Sequence, residues 1–414
     1  MSQIVHKSKT CLVCGGTKLS LYLDLGKSAL ANSYISPKDK SKKEFKARLA
    51  VYYCHTCHLA QLLDIVDRNV LFKKYAYFSS TSPQLLNHFD EFAQDVMDRF
   101  EKQSKHLVVE IASNDGILLK PLKERGAKVL GIDPAKNIAA QANKIGIPTV
   151  ADFFNRKTAK KIKETHGSAG VVIANNVLAH TDILHEIIQG AADLLADDGV
   201  FVFEAQYLKD LIAHNEFDNT YHEHICYFSL HPLVELLKRH DMKVFDVKHV
   251  DTQGGSLRVY AAKNSSSIHA APRVAEMLKD EVKFGLTKFA TFKKFAARPP
   301  RVARELKKIL TKLHEQGKTV VGYGAPAKGN TMLQYAKIDR KLVTYIVDNA
   351  PSKQGLLAPG SRIPIFAPTK LHEDTPDYIL ILAWNYADSI MNRESWFKKR
   401  GGKFIIPVPM PVIK

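Results

Sequence analysis

The sequence contains no apolar run long enough to cross a bilayer, and its first ten residues, MSQIVHKSKT, lack the apolar stretch of a secretory signal. We therefore expect the cytoplasm as its compartment. Acidic residues are in deficit: 42 Asp and Glu stand against 60 Lys and Arg, which gives a formal net charge of +18. Such an excess favours an anionic partner, which can be nucleic acid, an anionic membrane or a phosphorylated small molecule. The charge alone does not choose among them.

Cysteine is also rare, with five in the chain, yet four of them form two C-x-x-C pairs. In a reducing compartment such pairs indicate a metal site more than disulfides. Two knuckles of this spacing can present four thiolates tetrahedrally to one zinc ion, which replaces the core that a small module lacks. Four thiolates leave no open position, so the zinc would be structural. The predicted ligands are Cys11, Cys14, Cys54 and Cys57, in a module that spans residues 1–75.

Beyond this module, strand patterns alternate with helical patterns in two further segments. At 414 residues the chain is long for a single core, which favours two or three domains. Residues 76–265 contain four apolar runs of strand length, HLVVEIA, KVLGID, AGVVIANNV and GVFVFEAQ, with helical spacing between them. Residues 266–414 begin with a long basic helical pattern and then repeat the alternation. We predict the α/β class, with a mostly parallel, doubly wound sheet in 76–265 and a smaller α/β domain in 266–414.

The run VVEIASNDGILLKPL predicts a strand, a short turn and a helix, and the next strand ends in Asp133. A carboxylate there is placed to accept from ribose hydroxyls, in nicotinamide and adenosylmethionine sites alike. The turn distinguishes the two, because a dinucleotide needs G-x-G-x-x-G for its pyrophosphate, and this turn has one glycine, Gly116, beside Asp115. A carboxylate repels pyrophosphate but suits a cationic sulfonium and its amino-acid tail. We therefore predict an S-adenosylmethionine site.

The other residues of this predicted site follow the ends of neighbouring strands, where ligands collect in open α/β sheets. Asp152 and Phe153, between the runs KVLGID and AGVVIANNV, are placed to contact adenine, and Asn175 and Asn176 lie at the end of AGVVIANNV. His180, just past that run, belongs to the same edge. The candidate cofactor-binding residues are Glu110, Ala112, Ser113, Asn114, Asp115, Gly116, Asp133, Asp152, Phe153, Asn175 and Asn176.

One short segment, TYHEHICYFS, carries four titratable side chains in succession: Tyr221, His222, Glu223 and His224. Such clustering favours chemistry over packing. An imidazole is the usual general base near neutral pH, and a neighbouring carboxylate can fix its tautomer. A tyrosine hydroxyl can donate to a developing oxyanion, or act as a base if its pKa is lowered.

A second glycine-rich run, VVGYGAPAKGN, follows a predicted strand and opens a helix in the last segment. Its glycines, Gly322, Gly324 and Gly329, come close to the dinucleotide fingerprint without matching it. Asp348 ends the next strand, where a ribose carboxylate would lie. On these residues alone, an NAD site is an alternative.

Several motifs together resemble the sugar-nucleotide C-methyltransferases, typified by the C-3′-methyltransferase of the tetronitrose pathway. They are CLVCGG with CHTC, ALANSY, EIASNDGILL, TYHEHICYFS, GGSLRVY and GYGAPAKGN, and they run almost end to end. The resemblance implies a zinc-binding module, a central Rossmann-like methyltransferase domain and a C-terminal Rossmann-like domain that binds the sugar nucleotide, in residues 1–75, 76–265 and 266–414. It also implies S-adenosylmethionine and a 4-keto sugar nucleotide, linked to dTDP or GDP. Ala112 departs from the glycine of many methyltransferases.

The resemblance also assigns roles. The catalytic cluster would be Tyr221, Glu223 and His224, with His180 nearby to stabilise the enolate or share the proton transfer. We expect His224 to be the base, alone or with Tyr221, and Glu223 to orient the cluster or grip a sugar hydroxyl; His222 has no assigned role. The loop with Lys328 would cradle the pyrophosphate, and Arg258 would meet phosphate at a domain junction. The expected substrate-binding residues are Tyr75, Ser79, Ser80, Arg258, Tyr323, Lys328 and Asn330.

Carbon methylation requires a carbanion equivalent, and a ketone makes the neighbouring carbon acidic enough to form one as an enolate. We therefore expect methylation of a carbon next to the ketone, with C-3 favoured, in deoxysugar biosynthesis. Two further readings stay open: an NAD-dependent sugar-nucleotide-modifying enzyme, and a methyltransferase for a non-sugar ketone. A basic zinc-ribbon protein that binds nucleic acid is a third, although the charge is dispersed and no aromatic-interleaved basic patch is present. We expect neither nucleic acid nor membrane as partner, and the oligomeric state stays open, with a monomer compatible.

Overall fold

The computed structural model describes residues 4–72, 83–252 and 254–414. Its N-terminal part is built from short antiparallel strands around the paired cysteines. The elements are β1 (Val5–Lys7), β2 (Leu19–Ala29), β3 (Lys46–Cys54), β4 (Ala60–Leu62), β5 (Asp64–Val66) and α1 (Arg68–Phe72). Strands β2, β3 and β4 are neighbours in one sheet, and β1 pairs with β5 in a separate ribbon. Tyr75, Ser79 and Ser80 lie outside the described residues.

The central part contains a seven-stranded sheet with helices on both faces. Its helices are α2 (Pro83–Arg99), α3 (Glu101–Ser104), α4 (Leu119–Glu124), α5 (Lys136–Lys144), α6 (Arg156–His166), α7 (Leu184–Leu194), α8 (Leu208–Ala213) and α9 (Leu230–Lys238). Its strands are β6 (Leu107–Ile111), β7 (Lys128–Ile132), β8 (Thr149–Val150), β9 (Ala169–Asn175), β10 (Leu195–Gln206), β11 (Cys226–Tyr227), β12 (Met242–Val250) and β13 (Ser256–Lys263).

The order of the strands across this sheet is β12-β13-β10-β9-β6-β7-β8. The five strands from β10 to β8 are parallel, and β13 is inserted antiparallel between β10 and β12. Strand order reverses between β6 and β9, so the carboxyl ends of these strands form the crevice where ligands bind in doubly wound sheets. Strand β11 lies apart from this sheet and pairs with β4, so it extends the N-terminal sheet.

The four predicted strands of this part are all present, because their sequences suit a sheet covered on both faces. Every residue of β6 is buried, and so is every residue of β9 except the last. Strands buried on both sides read as continuous apolar runs rather than alternating ones. Ile187 and Ile188 of α7 show the complementary pattern, since they lie on the buried face of an amphipathic helix.

The C-terminal part begins with three helices and ends with a six-stranded sheet. The elements are α10 (Pro272–Phe284), α11 (Phe289–Ala296), α12 (Arg298–Glu315), β14 (Val320–Tyr323), α13 (Ala327–Tyr335), β15 (Ile346–Val347), β16 (Ile365–Phe366), α14 (Lys370–Asp374), β17 (Tyr378–Ile381), α15 (Ala387–Arg393), α16 (Ser395–Lys399), β18 (Lys403–Ile406) and β19 (Val412–Ile413). The strand order is β16-β15-β14-β17-β18-β19, parallel except for β19. Pro299 and Pro300 lie in the first turn of α12, where the missing amide protons cost nothing.

The basic helical segment packs on both the central and the N-terminal parts, and its last helix, α12, also contacts β14 of the sheet that follows. The carboxylate of Glu281 in α10 is wholly buried and accepts from the backbone nitrogens of Leu230 and His231, at 2.6 and 3.2 Å. In α11, Phe292 contacts Tyr53 of β3, with ring centroids 4.5 Å apart. The basic residues of this segment therefore lie on a face that is left over after its apolar face has docked.

A short segment of the N-terminal part, residues 29–34, joins all three parts, and we call it the strap. The backbone nitrogen of Ala29 donates to Gln334 Oε1 at 2.8 Å, and Tyr34 Oη donates to the carbonyl oxygen of Ala325 at 2.5 Å. Both of these partners belong to the C-terminal part.

Within the described ranges, no helix is at once long and apolar enough to cross a membrane.

Candidate active site

The four predicted zinc ligands come together at one end of the N-terminal sheet. Their sulfur atoms all lie within 4.8 Å of one another, and the closest pairs, Cys11 with Cys57 and Cys14 with Cys54, are 3.5 Å apart. A tetrahedral zinc ion with Zn–S bonds of about 2.3 Å needs sulfur atoms about 3.8 Å apart, so the cluster fits the metal. The backbone nitrogens of Gly16 and Thr56 each donate to a cysteine sulfur at 3.4 Å, which supports thiolate charge.

The predicted cofactor turn lies at the carboxyl edge of the central sheet, in strained backbone. Three residues other than glycine have left-handed φ angles there: Ala112 at +53°, Asn114 at +49° and Asn176 at +53°. The first two follow β6 and the third follows β9, so the strain is gathered at the switch point. Backbone held in this region costs on the order of 1–3 kcal/mol per residue and concentrates at ligand sites.

The same edge contains buried polar atoms whose hydrogen-bonding capacity is not used. Glu110 Oε2, Ser113 Oγ and Asn175 Oδ1 have no hydrogen-bond partner in the part of the chain that the structure describes. Burial raises the pKa of Glu110 well above its ordinary value, against a hydrogen bond from Asn175 Nδ2 at 3.3 Å that lowers it. Buried polar groups without partners are rare in native proteins, and here they fit a polar ligand such as S-adenosylmethionine.

Asp133 ends β7 beside this turn, as predicted, and it already shapes the loop. Its two carboxylate oxygens accept from the backbone nitrogens of Asn114 at 3.0 Å and Ala135 at 2.9 Å. Each oxygen keeps a second lone pair that can accept from a ribose hydroxyl. Burial raises the pKa of Asp133, while these backbone hydrogen bonds oppose the shift. Asp115 is buried on the other side of the turn, next to Gly116 at φ +81°.

The two residues predicted to contact adenine differ in their surroundings. Asp152 is exposed and accepts from the backbone nitrogen of Phe153 at 2.8 Å. The ring of Phe153 is half-buried, and the guanidinium of Arg68 lies 4.8 Å from its centroid. Arg68 belongs to α1, so the N-terminal part reaches this edge of the central sheet.

The segment with four titratable residues is a turn rather than an extended strand, and it begins just after a short 3-10 helix, Phe217–Asn219. Tyr221 Oη lies 2.7 Å from His224 Nε2, and His224 Nδ1 lies 2.8 Å from the carbonyl oxygen of Asn219. A carbonyl oxygen only accepts, so Nδ1 carries the proton and Nε2 accepts from the phenol. Burial above all, with the nearby positive charge of Lys328, holds the pKa of His224 well below its ordinary value.

The turn is attached to the edge of the central sheet by one backbone hydrogen bond. The nitrogen of Ile225 donates to the carbonyl oxygen of Ala179 at 2.7 Å, which brings the turn beside His180. The rings of His180 and His224 lie edge to face with centroids 4.8 Å apart. Burial lowers the pKa of His180 to about 4, so this imidazole is neutral at physiological pH.

The carboxylate of Glu223 is held by the strap. It is 4% exposed, and both of its oxygens accept from Asn32 Nδ2, at 2.8 and 2.9 Å. Burial raises the pKa of Glu223 to about 7, and the Asn32 hydrogen bonds oppose the rise. His222 points the other way, where its Nε2 donates to the carbonyl oxygen of Ala47 at 3.2 Å. His222 therefore fastens the turn to the N-terminal sheet.

The glycine-rich loop of the C-terminal part is closed by its own contacts. Asp348 Oδ2 accepts from the backbone nitrogen of Ala325 at 2.6 Å, and Oδ1 accepts from that of Ala350 at 2.8 Å. A Cβ atom on Gly324 would lie 2.8 Å from the Cβ of Ala383, and one on Gly329 would lie 2.8 Å from that of Leu382. The glycines are explained by packing, and Asp348 Oδ2 uses its second lone pair on Lys353 Nζ, at 3.4 Å, so these features do not by themselves indicate an NAD site.

Asn330 and Lys328 follow this loop in α13 and have different surroundings. Asn330 is wholly buried, and its Nδ2 donates to the carbonyl oxygen of Ala31 in the strap at 2.8 Å. Lys328 is 9% exposed, with its Nζ 4.1 Å from the ring centroid of Trp384. Two buried carboxyl groups, Glu216 and Asp218, lie near enough for their charges to raise the pKa of Lys328, although burial lowers it to about 8.

Two predicted substrate contacts are not brought to this site. Arg258 lies inside the central part, where its Nε donates to Glu204 Oε1 at 2.7 Å and its guanidinium lies 3.6 Å from the ring centroid of Phe92. Tyr323 is buried on the far side of the C-terminal sheet, and its hydroxyl donates to Glu394 Oε1 at 2.8 Å. Both side chains are used by the core, because a buried charge or phenol needs a partner there.

A cleft of about 320 Å³ opens between the central and C-terminal parts, next to Lys328. Its walls are Asp210, His214, Glu216, His249, Asp251, Gly254, Gly255, Trp384, Asn385 and Tyr386. Glu216 connects the cleft to the catalytic turn, because its Oε2 accepts from Asn219 Nδ2 at 2.9 Å. Burial raises the pKa of Glu216 to about 8. Gly254, at φ +96°, has no room for a side chain, since a Cβ would lie 2.4 Å from Glu216.

Several of these residues had no individual prediction. Asn32 lies within the ALANSY motif, but no spacing rule indicates that it would meet Glu223 across 191 positions. Glu216, Asp218 and Trp384 were likewise missed, since the contact of Trp384 Nε1 with Asp218 Oδ2, at 2.7 Å, spans 166 positions. The one available signal for Asp218 was the density of polar residues just before TYHEH.

Together, the strand order, the strained polar edge and the cysteine cluster define a zinc-containing methyltransferase of the Rossmann-like class. Comparison with known proteins agrees. A model described as a methyltransferase domain matches residues 86–247, a C-methyltransferase C-terminal domain model matches 251–409, and a zinc binding domain model matches 11–72. The chain is 36% identical over 411 residues to the C-methyltransferase NovU of Streptomyces niveus. The matched region covers 99% of this chain and 98% of NovU. The chain therefore belongs to the S-adenosylmethionine-dependent C-methyltransferase family.

Solved structures resemble the chain only in part. The magnesium protoporphyrin IX methyltransferase ChlM of Synechocystis PCC 6803, with bound SAH, is 16% identical and covers 43% of this chain and 83% of its own, with a TM-score of 0.35. The PH0226 protein of Pyrococcus horikoshii OT3 is 12% identical and covers 47% and 98%, with a TM-score of 0.37. Likenesses of this size say nothing about the substrate.

Proposed function

We propose that this C-methyltransferase acts on a 4-keto deoxysugar linked to dTDP or GDP and methylates the carbon next to the ketone, at C-3. The observation that carries the proposal is the hydrogen-bonded chain from Tyr221 Oη through His224 to the carbonyl oxygen of Asn219. A chain of this kind is a proton acceptor with a fixed tautomer, which formation of an enolate requires.

The first step is removal of the proton from the carbon next to the ketone. Tyr221 gives its phenolic proton to His224 Nε2 while its oxygen takes the proton from carbon. The electron pair of the C–H bond becomes the C=C bond of an enolate, and the carbonyl π pair moves to oxygen. The backbone oxygen of Asn219 steadies the imidazolium that forms, because it accepts from Nδ1 at 2.8 Å. The low pKa of His224 makes this proton easy to return after the reaction.

Glu223 and His180 complete the cluster in this proposal. Glu223 accepts two hydrogen bonds from Asn32, and its remaining lone pairs grip a sugar hydroxyl. His180, neutral and edge-on to His224, shares the proton transfer and keeps water from the imidazole. Tyr75, Ser79 and Ser80, which lie outside the described residues, remain proposed substrate contacts on the resemblance alone.

The cofactor would be held at the carboxyl edge of the central sheet. Asp133 would accept from the ribose hydroxyls, and the unpartnered Glu110 Oε2, Ser113 Oγ and Asn175 Oδ1 would meet polar groups of the ligand. When bound, S-adenosylmethionine supplies an electrophilic methyl group, which the enolate carbon takes as the C–S bond breaks and its electron pair leaves with sulfur. The side chains of this edge would hold the cofactor in a fixed orientation close to the enolate carbon, which lowers the barrier through proximity.

The sugar nucleotide would enter through the cleft between the central and C-terminal parts. This cleft borders Trp384 and Tyr386, whose rings offer surfaces for a base, and Glu216 connects it to the turn that holds Tyr221. The net charge of +18 favours approach of a diphosphate to the protein as a whole. The cleft itself is lined by Asp210, Glu216 and Asp251, so the base and the sugar, rather than the diphosphate, would occupy it.

The test is a panel of dTDP- and GDP-linked 4-keto-6-deoxysugars, each incubated with the full-length protein and S-adenosylmethionine with a trideuterated methyl group. Mass spectrometry is expected to show one labelled methyl group, and NMR should place it on the carbon next to the ketone. Tyr221→Phe serves as the matched control, because it removes one oxygen from the site. Labelling on oxygen or nitrogen, or on none of the panel, would contradict the proposal.

A further inference from the structure

Lys328 lies inside the protein without the partner that a buried cation normally has. In the described ranges, its Nζ takes part in no hydrogen bond and no ion pair, and it lies over the face of Trp384, 4.1 Å from the ring centroid. An ammonium group taken out of water is costly unless it is paired or hydrogen-bonded. The ammonium group of Lys328 is therefore placed to donate a hydrogen bond to a bound ligand.

Asp218 contacts the same tryptophan, and one of its two oxygens accepts no hydrogen bond from the described residues. It is wholly buried; its Oδ2 accepts from Trp384 Nε1 at 2.7 Å, but Oδ1 finds no partner among the described residues. The charge of Lys328 lowers the pKa of Asp218, although burial raises it to about 6. A buried donor and a buried acceptor, both unsatisfied, thus flank the same indole.

This pair lies next to the catalytic base. Helix α13, which carries Lys328, packs on the 3-10 helix Phe217–Asn219, and the carbonyl oxygen of Asn219 accepts from His224 Nδ1 at 2.8 Å. The positive charge of Lys328 is also close enough to lower the pKa of His224. Lys328 therefore faces the region where the proton leaves the substrate.

We propose that the Lys328 ammonium donates a hydrogen bond to the oxygen of the substrate ketone and stabilises the negative charge that forms there. This rests on the proposed function, since it names the residue that makes the neighbouring C–H bond acidic. When Tyr221 and His224 accept the proton, the carbonyl π pair moves to oxygen and meets a cation that keeps its own proton. After the enolate carbon has formed its new bond, the carbonyl is restored and Lys328 is unchanged.

The surroundings favour a ketone oxygen over the pyrophosphate that the sequence suggested for this lysine. A pyrophosphate would bring two negative charges next to Glu216 and Asp218, in a site with one ammonium group. An enolate brings one charge, and the proton received by the base compensates it. Burial lowers the pKa of Lys328 to about 8, so the group stays largely protonated at neutral pH and is a stronger donor than a solvated lysine. Donors fixed at a developing oxyanion are each worth about 10²–10³-fold in rate.

The experiment separates enolate formation from methyl transfer and from phosphate binding. Exchange of the proton next to the ketone for deuterium is followed by NMR in D₂O, without any methyl donor, using the ketosugar that the panel identifies. Calorimetry measures binding of the corresponding nucleoside diphosphate, which has phosphates but no ketone. The variants are Lys328→Met and Lys328→Gln, of which the second keeps a hydrogen-bond donor if the first fails to fold. Lys370→Met is the control, because Lys370 also lies over aromatic rings, 5.6 Å from Tyr345 and 5.3 Å from Phe366, on another helix.

We expect exchange by Lys328→Met to fall about 10²–10³-fold at saturating ketosugar, with nucleoside diphosphate affinity within about twofold of the wild type. Lys328→Gln should recover a small part of the rate, and Lys370→Met all of it. A tenfold or greater loss of nucleoside diphosphate affinity with undiminished exchange would overturn the inference and make Lys328 a phosphate ligand. If the wild type exchanges but Lys328→Met exchanges equally fast, the inference alone fails. If the wild type neither exchanges nor methylates any ketosugar, the proposed function itself fails.

Discussion

The two parallel sheets of this protein present the same motif, a strand, a tight turn and a helix, and use it in opposite ways. At the edge of the central sheet, buried polar atoms such as Glu110 Oε2 and Asn175 Oδ1 are left without partners among the described residues. At the edge of the C-terminal sheet, Asp348 accepts from the backbone nitrogens of Ala325 and Ala350, and its Oδ2 also accepts from Lys353 Nζ at 3.4 Å. The turn of the first edge keeps unpartnered polar atoms, whereas the aspartate beside the second turn is used by the protein itself, and the open groups there, Asn330 Oδ1 and Lys328 Nζ, lie in the helix that follows.

The occupant of the second edge is the strap from the zinc module. Tyr34 donates to the carbonyl oxygen of Ala325, and Asn330 donates to that of Ala31. From there the strap continues to the catalytic turn, where Asn32 holds both oxygens of Glu223. The comparison teaches that a glycine-rich turn beside an aspartate does not by itself define a nucleotide site, since the deciding feature is whether its donors and acceptors are already used.

The largest effect is expected from removing the zinc site, which anchors the strap. Cys54→Ser with Cys57→Ser takes away two of the four sulfur ligands, and structural zinc contributes on the order of 10 kcal/mol to the folding of small modules. We expect the variant to lose zinc, to unfold at much lower temperature and to lose all methyl transfer. Metal analysis and thermal unfolding measure this. Cys226→Ala, a buried cysteine of β11 outside the cluster, should keep one zinc per chain. A zinc-free double variant with wild-type stability would show that the strap stands without the metal.

The second largest effect is expected at the turn between the two edges. Tyr221→Phe leaves His224 Nε2 without the phenol that donates to it, and removes the group proposed to take the proton. We expect kcat to fall about 10²–10⁴-fold, the usual weight of a general base, with little change in substrate affinity. Steady-state kinetics provide the measurement. His222→Gln is the matched control from the same turn, since it should still donate to Ala47 and keep activity within a few-fold. Equal rates in Tyr221→Phe and wild type would remove the turn from the chemistry.

Much of the fold was predictable because single segments determine it. Strands β6, β7, β9 and β10 are continuous apolar runs, and two C-x-x-C pairs have few other uses in a chain with five cysteines. The zinc cluster and the class of both sheets were therefore predicted correctly. The edge of the central sheet was predictable for the same reason, because Asp133 and Asn175 follow directly from where their strands end.

Contacts between distant segments were not predictable from the sequence. Arg258 was expected at phosphate and Tyr323 at the substrate, but Glu204 and Glu394, each far away in sequence, take up their polar atoms in the interior. The turn at TYHEH was not predictable either: it brings Tyr221 onto His224 and directs Glu223 towards Asn32.

A pair of matched substitutions sharpens the comparison of the two edges. Asp133→Asn and Asp348→Asn each replace a carboxylate that accepts from two backbone nitrogens, so each should cost about 1–3 kcal/mol of folding stability. Only Asp133 is proposed to accept from ribose hydroxyls as well. We therefore expect Asp133→Asn to weaken S-adenosylmethionine binding about 10- to 100-fold, and Asp348→Asn to leave it unchanged. Calorimetry with S-adenosylmethionine and with NADH decides it. Saturable NADH binding that Asp348→Asn abolishes would restore the second edge as a nucleotide site.

The smallest effect is expected at Glu223, whose carboxylate is held by Asn32 of the strap. Burial raises its pKa to about 7, so the folded protein binds this proton more tightly than the unfolded chain does. The stability gained from the proton is complete below the ordinary carboxyl pKa of 4.5 and is lost as pH rises through 7. Relative to Glu223→Gln, whose amide is always neutral, the wild type should lose about 1–3 kcal/mol between pH 5 and pH 8. Urea unfolding across that range measures the difference. Asn32→Ala removes the hydrogen bonds that favour the charged form of Glu223. The pKa of Glu223 should therefore rise further, and the loss of stability should centre above pH 7. A difference that does not change with pH would mean that Glu223 keeps an ordinary carboxylate and that the strap does not control it.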